Sequence, residues 1–208
     1  MPQKRWAAFI SGRGSNLARL LDSLGEDVRL VITTDIECQG VYRARRRGAH
    51  VILAPRGTDK KIDWDELEVT LQRFKITSIF LLGFMRIVPR SFLESSERLC
   101  LNLHPSLLPQ YPGLNSIQRA FDDRSDVGAT IHSVVPEVDA GPIVSRALTV
   151  GAAQLKAAVA GASSEDTFKA CEFLVHVDEQ RLVERSSQRF DQRLDQRFGQ
   201  NLELPGCA

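Results

Sequence analysis

The chain has 208 residues, a formal net charge of +1, 43% hydrophobic residues and 25% charged residues. That is ordinary globular composition, long enough for one full core, and its balanced charge gives no field that would draw it to nucleic acid or an anionic membrane. No apolar run approaches the roughly 20 residues of a membrane span. Cys38, Cys100, Cys171 and Cys207 form no Cys-x-x-Cys pair, which predicts reduced thiols in a cytoplasmic protein.

Met1 to Arg5 is short and basic, but the apolar run behind it ends at Ile10 and a Gly-rich loop follows, as for a first strand and not a signal peptide. Short apolar runs then alternate with helical patterns, the mark of βαβ units and a parallel sheet. Strands are predicted at Trp6–Ile10, Arg29–Thr33, His50–Leu53, Ser78–Gly83 and Leu99–Leu103. Helices are predicted at Asn16–Leu24, Gly40–Arg47, Trp64–Phe74, Pro89–Ser95 and Ser116–Asp122, with Pro89 suited to a first helical turn. Ala129–Val135 and Ile143–Val150 flank a short polar loop and are expected as an antiparallel pair at the sheet edge. The fold class is α/β: a Rossmann-like, mostly parallel sheet flanked by helices.

After Val150 the pattern weakens. Gly151 to Ser164 is Ala/Gly-rich and compatible with a loop or a poor helix, whereas Glu165 to Val183 reads as a helix capped by Ser164. A short repeat follows: Gln188-Arg189-Phe190, Gln192-Arg193-Leu194, Gln196-Arg197-Phe198. Its apolar members fall on one helix face, suited to docking on the chain's own domain, on a partner or on a membrane surface. The expected organisation is a domain over 1–183 and a tail over 184–208, either amphipathic helix or partly disordered.

Chemistry concentrates in three places. The first is Ser11-Gly12-Arg13-Gly14-Ser15-Asn16, between the first strand and the first helix. Glycines allow close backbone approach, and helix-start amides with the Ser15 hydroxyl and Asn16 amide suit an anion. No Gly-Lys-Ser/Thr follows, so it is not a P-loop. Leu17 occupies the third glycine position of the dinucleotide fingerprint, and only Asp35 keeps a nicotinamide reading open. A plain strand–helix turn is the alternative.

The second is Asn102-Leu103-His104-Pro105-Ser106-Leu107-Leu108-Pro109. Residues two apart on a strand share a face, and the prolines stop the strand, so Asn102 and His104 sit together at its carboxyl end. In open α/β sheets ligands bind at that edge. A carboxamide donor beside a titratable imidazole suits acyl transfer. The third is Val135-Pro136-Glu137-Val138-Asp139-Ala140-Gly141-Pro142, a loop that presents Asp139. His132, in the strand before it, reads as a packed structural histidine more readily than as a chemical one. The histidines are too scattered for a zinc site, so no metal is expected.

Together these segments resemble the glycinamide ribonucleotide formyltransferases. The matching runs are SGRGSN (11–16), LLGFMRIVP (81–89), NLHPSLLPQYPGLNSIQRAF (102–121), GATIHSVVPEVDAGPI (128–143) and, more weakly, VHVDEQRL (175–182). The Asn-x-His-Pro-Ser-Leu-Leu-Pro core is similar to that of all formyltetrahydrofolate-using relatives, and Tyr111-Pro112-Gly113-Leu114 looks like the glycinamide ribonucleotide branch. The resemblance implies formyl transfer from 10-formyltetrahydrofolate, as co-substrate, to the amine of glycinamide ribonucleotide. It implies that Asn102, His104 and Asp139 are catalytic, and that Gly14, Ser15, Asn16 and Glu179 bind the ribonucleotide. It implies a folate pocket from Lys61, Met85, Arg86, Ile87, Val88, Asn102, Val135, Pro136, Glu137, Val138 and Asp139. The expected partners are these two small molecules, without nucleic acid or membrane, in a monomer or homodimer.

The chain also departs from the family pattern. Lys61 stands for a usual arginine, Gln180 for a histidine, Val183 for an aromatic residue, and the repeat has no counterpart. Competing readings are a formyltransferase for another amine, a folate binder without catalysis, and a non-catalytic nucleotide-binding Rossmann protein.

Overall fold

A computed structural model describes residues 4–190. Its strands are β1 (Trp6–Ile10), β2 (Val28–Thr33), β3 (Val51–Leu53), β4 (Ser78–Leu81), β5 (Leu99–His104), β6 (Val127–Ser133) and β7 (Ile143–Val150). Its helices are α1 (Ser15–Leu24), α2 (Gln39–Arg45), α3 (Trp64–Arg73), α4 (Arg90–Ser95), α5 (Ser116–Asp122), α6 (Ala152–Gly161) and α7 (Ser164–Phe190). The strands form one sheet in the order β3-β2-β1-β4-β5-β6-β7. The first five pair in parallel, and β6 and β7 add antiparallel at one side, as expected.

All five residues of β1 are buried because helices cover both faces. Trp6, Ala8 and Ile10 pack towards Leu17 and Leu20 of α1 and Leu182 and Val183 of α7. Ala7 and Phe9 point the other way, to Leu67 and Leu71 of α3 and Phe92 of α4. A third cluster joins Ile117 and Phe121 of α5, Val127, Leu155 of α6 and Val175 of α7. Asp63 caps α3 by accepting the Glu66 N–H at 2.9 Å.

Strand order reverses between β1 and β4, so the loops leaving them part and open a crevice. The Met85 N–H ties the two loops by donating to Ser11 Oγ at 3.1 Å. Gly14 adopts φ +70°, and a Cβ there would collide with Gly40 Cα at the start of α2. Only glycine permits both that backbone and that approach.

Several boundaries differ from the sequence-based expectation. β4 stops at Leu81 because Gly83 turns to φ +69° and leaves the sheet. Pro89 precedes α4 as an extended cap, one position before the first turn. Gly151 to Ser164 contains a true helix, α6, whose start is held by Asp126 accepting the Ala152 N–H at 2.7 Å and by buried Leu155. The cap of α7 is Ser163 and not Ser164: its Oγ accepts from Asp166 N–H at 3.4 Å. α7 also runs unbroken through Val183 to Phe190, with Ser186 and Ser187 buried, so the expected domain edge at 183 falls inside a helix. Leu194 and Phe198 of the repeat lie outside the described residues. No helix among the described residues is long and apolar enough to cross a membrane.

Candidate active site

On β5, Leu101 and Leu103 face the α1/α7 core while Cys100 faces the α3/α4 core. Asn102 and His104 continue the Cys100 parity to the strand's carboxyl end. β6 runs antiparallel beside them, and its register sets His132 opposite Asn102. The loop after β6 returns tightly: Ser133 N–H donates to the Pro142 carbonyl at 2.9 Å, and a Cβ on Gly141 would collide with the Ser133 carbonyl. That return delivers Asp139, at φ +53°, between the two strands.

Asp139 is the hub. Its Oδ2 lies 3.3 Å from His104 Nδ1 and accepts the Gly113 N–H at 2.7 Å. Its Oδ1 accepts from Asn102 Nδ2 at 3.4 Å and lies 3.5 Å from His132 Nε2. The His104 and Asp139 side chains are 8% and 11% exposed, so little water screens them. Burial disfavours the Asp139 carboxylate, but hydrogen bonds from His132 and the Gly113 amide and the charges of His104 and His132 outweigh it. The net effect holds this carboxyl below its ordinary value.

Backbone carbonyls fix the imidazole protons, since a carbonyl only accepts. His132 Nδ1 donates to the Ser133 carbonyl at 2.9 Å, so its Nε2 is the nitrogen that faces the site, 3.1 Å from Asn102 Nδ2 and 3.5 Å from Asp139 Oδ1. His104 Nε2 donates to the Tyr111 carbonyl at 3.0 Å, so Nδ1 faces Asp139 and is the nitrogen that exchanges a proton there. Tyr111 is held at φ +55° by its phenol, which donates to Asp123 at 2.9 Å and meets Ser125 Oγ at 2.8 Å. Cys100, two residues before Asn102, is no nucleophile: burial pushes its thiol up to about 12.

The Gly-rich loop opens α1 with Gly14 as an uncapped left-handed residue, so first-turn amides have no side-chain acceptor. Asn16 Nδ2 donates to Oε2 of Glu179, which α7 brings back from 163 residues away, at 3.2 Å. His176 Nδ1 meets the same oxygen at 2.9 Å. Asn16 Oδ1 is buried without a partner.

The remaining expected pocket residues divide. Lys61, Arg86 and Ile87 line a cavity of about 490 Å³ with Arg56, Lys60 and Trp64. Met85 is exposed and does not line that cavity, whereas the Val88 side chain is buried in the α3/α4 core. Val135, Pro136, Glu137 and Val138 lie apart from that cavity, on the Asp139 loop; Glu137 is held by Arg90 at 2.9 Å. Among the described residues no group of three or more His, Cys, Asp and Glu could hold a metal ion.

Sequence reasoning favoured a structural role for His132 over a chemical one and passed over the Tyr111 carbonyl, the Gly113 amide and His176. The β5–β6 register carries the signal for His132, and the i, i+3 spacing to Glu179 carries it for His176.

A formyl transferase family model matches residues 4–159. The chain is 33% identical to phosphoribosylglycinamide formyltransferase of Escherichia coli over 147 residues, 67% of this chain and 69% of that one. It is 34% identical to the human trifunctional purine biosynthetic protein adenosine-3 over 148 residues, 67% of this chain but 15% of that protein. Among solved structures, phosphoribosylglycinamide formyltransferase from Bacillus halodurans superposes with a TM-score of 0.77 at 28% identity, covering 94% of this chain and 100% of that one. The enzyme from Anaplasma phagocytophilum gives 0.73 at 28% identity, covering 88% and 86%.

Proposed function

The chain belongs to the formyl transferase family, and from that premise we propose that it moves the formyl group of 10-formyltetrahydrofolate to the amine of glycinamide ribonucleotide. The products are formylglycinamide ribonucleotide and tetrahydrofolate. The single observation that carries this reading is the convergence of Asn102, His104 and His132 on the ionised Asp139, at the sheet edge beside an uncapped helix start.

The reaction joins the substrate amine nitrogen to the formyl carbon and cleaves that carbon's bond to the folate nitrogen. The formyl oxygen gains negative charge on the way, one proton leaves the attacking amine, and one reaches the folate nitrogen. Asn102 offers an amide N–H to the developing oxyanion, and protonated His104 offers positive charge beside it. Asp139 keeps the His104 ring in one orientation through Nδ1. The Asp139 carboxylate is also the group placed to accept the amine's proton, directly or through water. No covalent enzyme intermediate is required.

The cavity bounded by Arg56, Lys60, Lys61 and Arg86 fits the acidic end of a folate, with Trp64 and Ile87 offering apolar surface. The uncapped start of α1, with Ser15 and Asn16, fits the ribonucleotide phosphate, and the Oε1 of Glu179 is free for a sugar hydroxyl. These partners are small molecules.

Changing Ser15 and Asn16 together to alanine tests the phosphate assignment. KM for the ribonucleotide is expected to rise about 10-fold or more, the scale of lost hydrogen bonds to a charged group, with KM for the folate little changed. Equal rises in both constants would mean general loop damage instead.

A further inference from the structure

Arginines concentrate at the end of α2: four of the five residues from Arg43 to Arg47 are arginine, in a chain whose net charge is only +1. Arg43, Arg46 and Arg47 line a cavity of about 770 Å³ between α1 and α2, together with Tyr42, Gln39 and Asp22. Asp22 is the one carboxylate on its wall, and Arg47 takes it with Nε at 2.7 Å and Nη2 at 3.2 Å. The carboxyl end of α2 adds about half a negative charge. Neither offsets the other two guanidinium groups. Among the described residues, the Arg46 guanidinium meets only the Tyr42 ring, at 5.6 Å, and the Arg43 side chain donates only through Nε, to the Arg13 carbonyl at 3.0 Å. A surface that merely kept the chain in solution would intersperse both signs of charge.

We propose that this cavity is a second anion site, which takes a nucleoside diphosphate and weakens ribonucleotide binding when it is occupied. Its volume is that of a small-molecule site. A guanidinium fork matches phosphate oxygens in pairs, and the outer nitrogens of Arg43 and the whole fork of Arg46 are uncommitted to protein acceptors among the described residues. Two forks on one wall suit two phosphoryl groups. Tyr42, on the same wall, is 64% exposed and offers a flat ring on which a base can stack. The Gln39 amide beside it carries both a donor and an acceptor for a base edge. An inorganic anion would satisfy the arginines and leave the ring and the amide unused.

Arg43 joins the cavity to the Gly-rich loop. Its Nε holds the Arg13 carbonyl, next to Gly14, while its outer nitrogens remain for a ligand. The backbone of α2 is fixed to the same loop: the Gly40 N–H donates to the Gly12 carbonyl at 3.0 Å, and Gly14 packs on Gly40 with no room for a Cβ. An anion on Arg43 therefore sits one side chain from the loop read as the ribonucleotide phosphate site, and its charge opposes a second phosphate there. The binding site stands without that reading of the loop, and the effect on ribonucleotide affinity rests on it. Linkage makes the effect reciprocal: bound ribonucleotide weakens the diphosphate by the same factor.

The test uses the full chain, with ADP and inorganic pyrophosphate as calorimetric probes at low, fixed ionic strength. Wild-type protein is expected to bind ADP more tightly than pyrophosphate. Arg46→Gln is expected to weaken ADP about 10-fold, the scale of a lost charged hydrogen bond. Tyr42→Ala is expected to weaken ADP about 5-fold or more and to leave pyrophosphate unchanged. Changing Ser15 and Asn16 together to alanine should leave ADP affinity intact, because the cavity is not built from them. In turnover, ADP should raise KM for the ribonucleotide about 5-fold or more with kcat unchanged. Arg46→Gln should match wild type without ADP and lose the response to it. A wild-type protein that fails to bind ADP overturns the proposal, as does unchanged ADP affinity in Arg46→Gln or its loss in the Ser15 and Asn16 variant. Pyrophosphate binding as tight as that of ADP overturns the nucleoside assignment, and a ribonucleotide KM indifferent to bound ADP overturns the coupling. A protein that binds ADP through Arg46 yet transfers no formyl group overturns the activity reading and leaves the site standing.

Discussion

His104→Ala is expected to cut turnover at least ~100-fold, the scale of a positioned acid–base or oxyanion group, in a protein that still folds. The ring's two nitrogens are committed, Nε2 to the Tyr111 carbonyl and Nδ1 to Asp139. Thr130, opposite His104 in the register, turns its hydroxyl to the Ser106 carbonyl at 2.7 Å and is not available to replace it. The three hydrophobic clusters do not depend on the imidazole, so the melting temperature should drop by far less than unfolding requires. Circular dichroism and a single-turnover assay on the same preparation separate the two effects. Turnover near wild type in a folded variant would remove His104 from the chemistry.

Asp139→Asn should be the second severe loss, about a thousandfold in kcat, because the change is nearly isosteric but removes the charge that three neighbours are arranged around. An asparagine can still accept the Gly113 N–H, so the loop and folate binding are expected to persist. The pH dependence of stability gives a second readout. The folded-state carboxyl is held below its unfolded value. Its contribution is therefore present above about pH 4, the unfolded value, and is lost as pH falls through the folded one. The Asn variant should lack that acid limb. If folate binding disappears while the chemical step in bound enzyme is unchanged, Asp139 serves the pocket and not the reaction.

The parts of this architecture that are local in sequence were legible from it. The apolar run Trp6–Ile10, the Gly-rich turn and the strand-ending prolines after His104 each declare themselves within a few residues. The Asn102–His104 parity is a property of any strand, and the structure has it. What stayed hidden depends on contacts far apart in the chain. His132 joins Asp139 only through the antiparallel register of β6 on β5, and a strand histidine carries no mark of its register. The pairing of Asn16 with Glu179 closes over 163 residues, and only the packing of α7 on α1 creates it. The helix expected over Glu165 to Val183 runs on in the structure to Phe190, past Ser186 and Ser187. In the fold both are buried, with Ser187 Oγ donating back to the Val183 carbonyl at 2.7 Å. α6 was left open because Ala and Gly dominate it, and a carboxylate from a distant turn, Asp126, caps it.

The central claim is that one substrate's amine receives the formyl group of the other, and a coupled-product measurement tests it most directly. Purified protein is incubated with 10-formyltetrahydrofolate alone, with glycinamide ribonucleotide alone and with both, and tetrahydrofolate and formylglycinamide ribonucleotide are quantified separately. The account predicts that both products appear in equal amounts, and only when both substrates are present. Folate consumed at the same rate without the ribonucleotide, or no consumption in the complete mixture by folded protein, would contradict it.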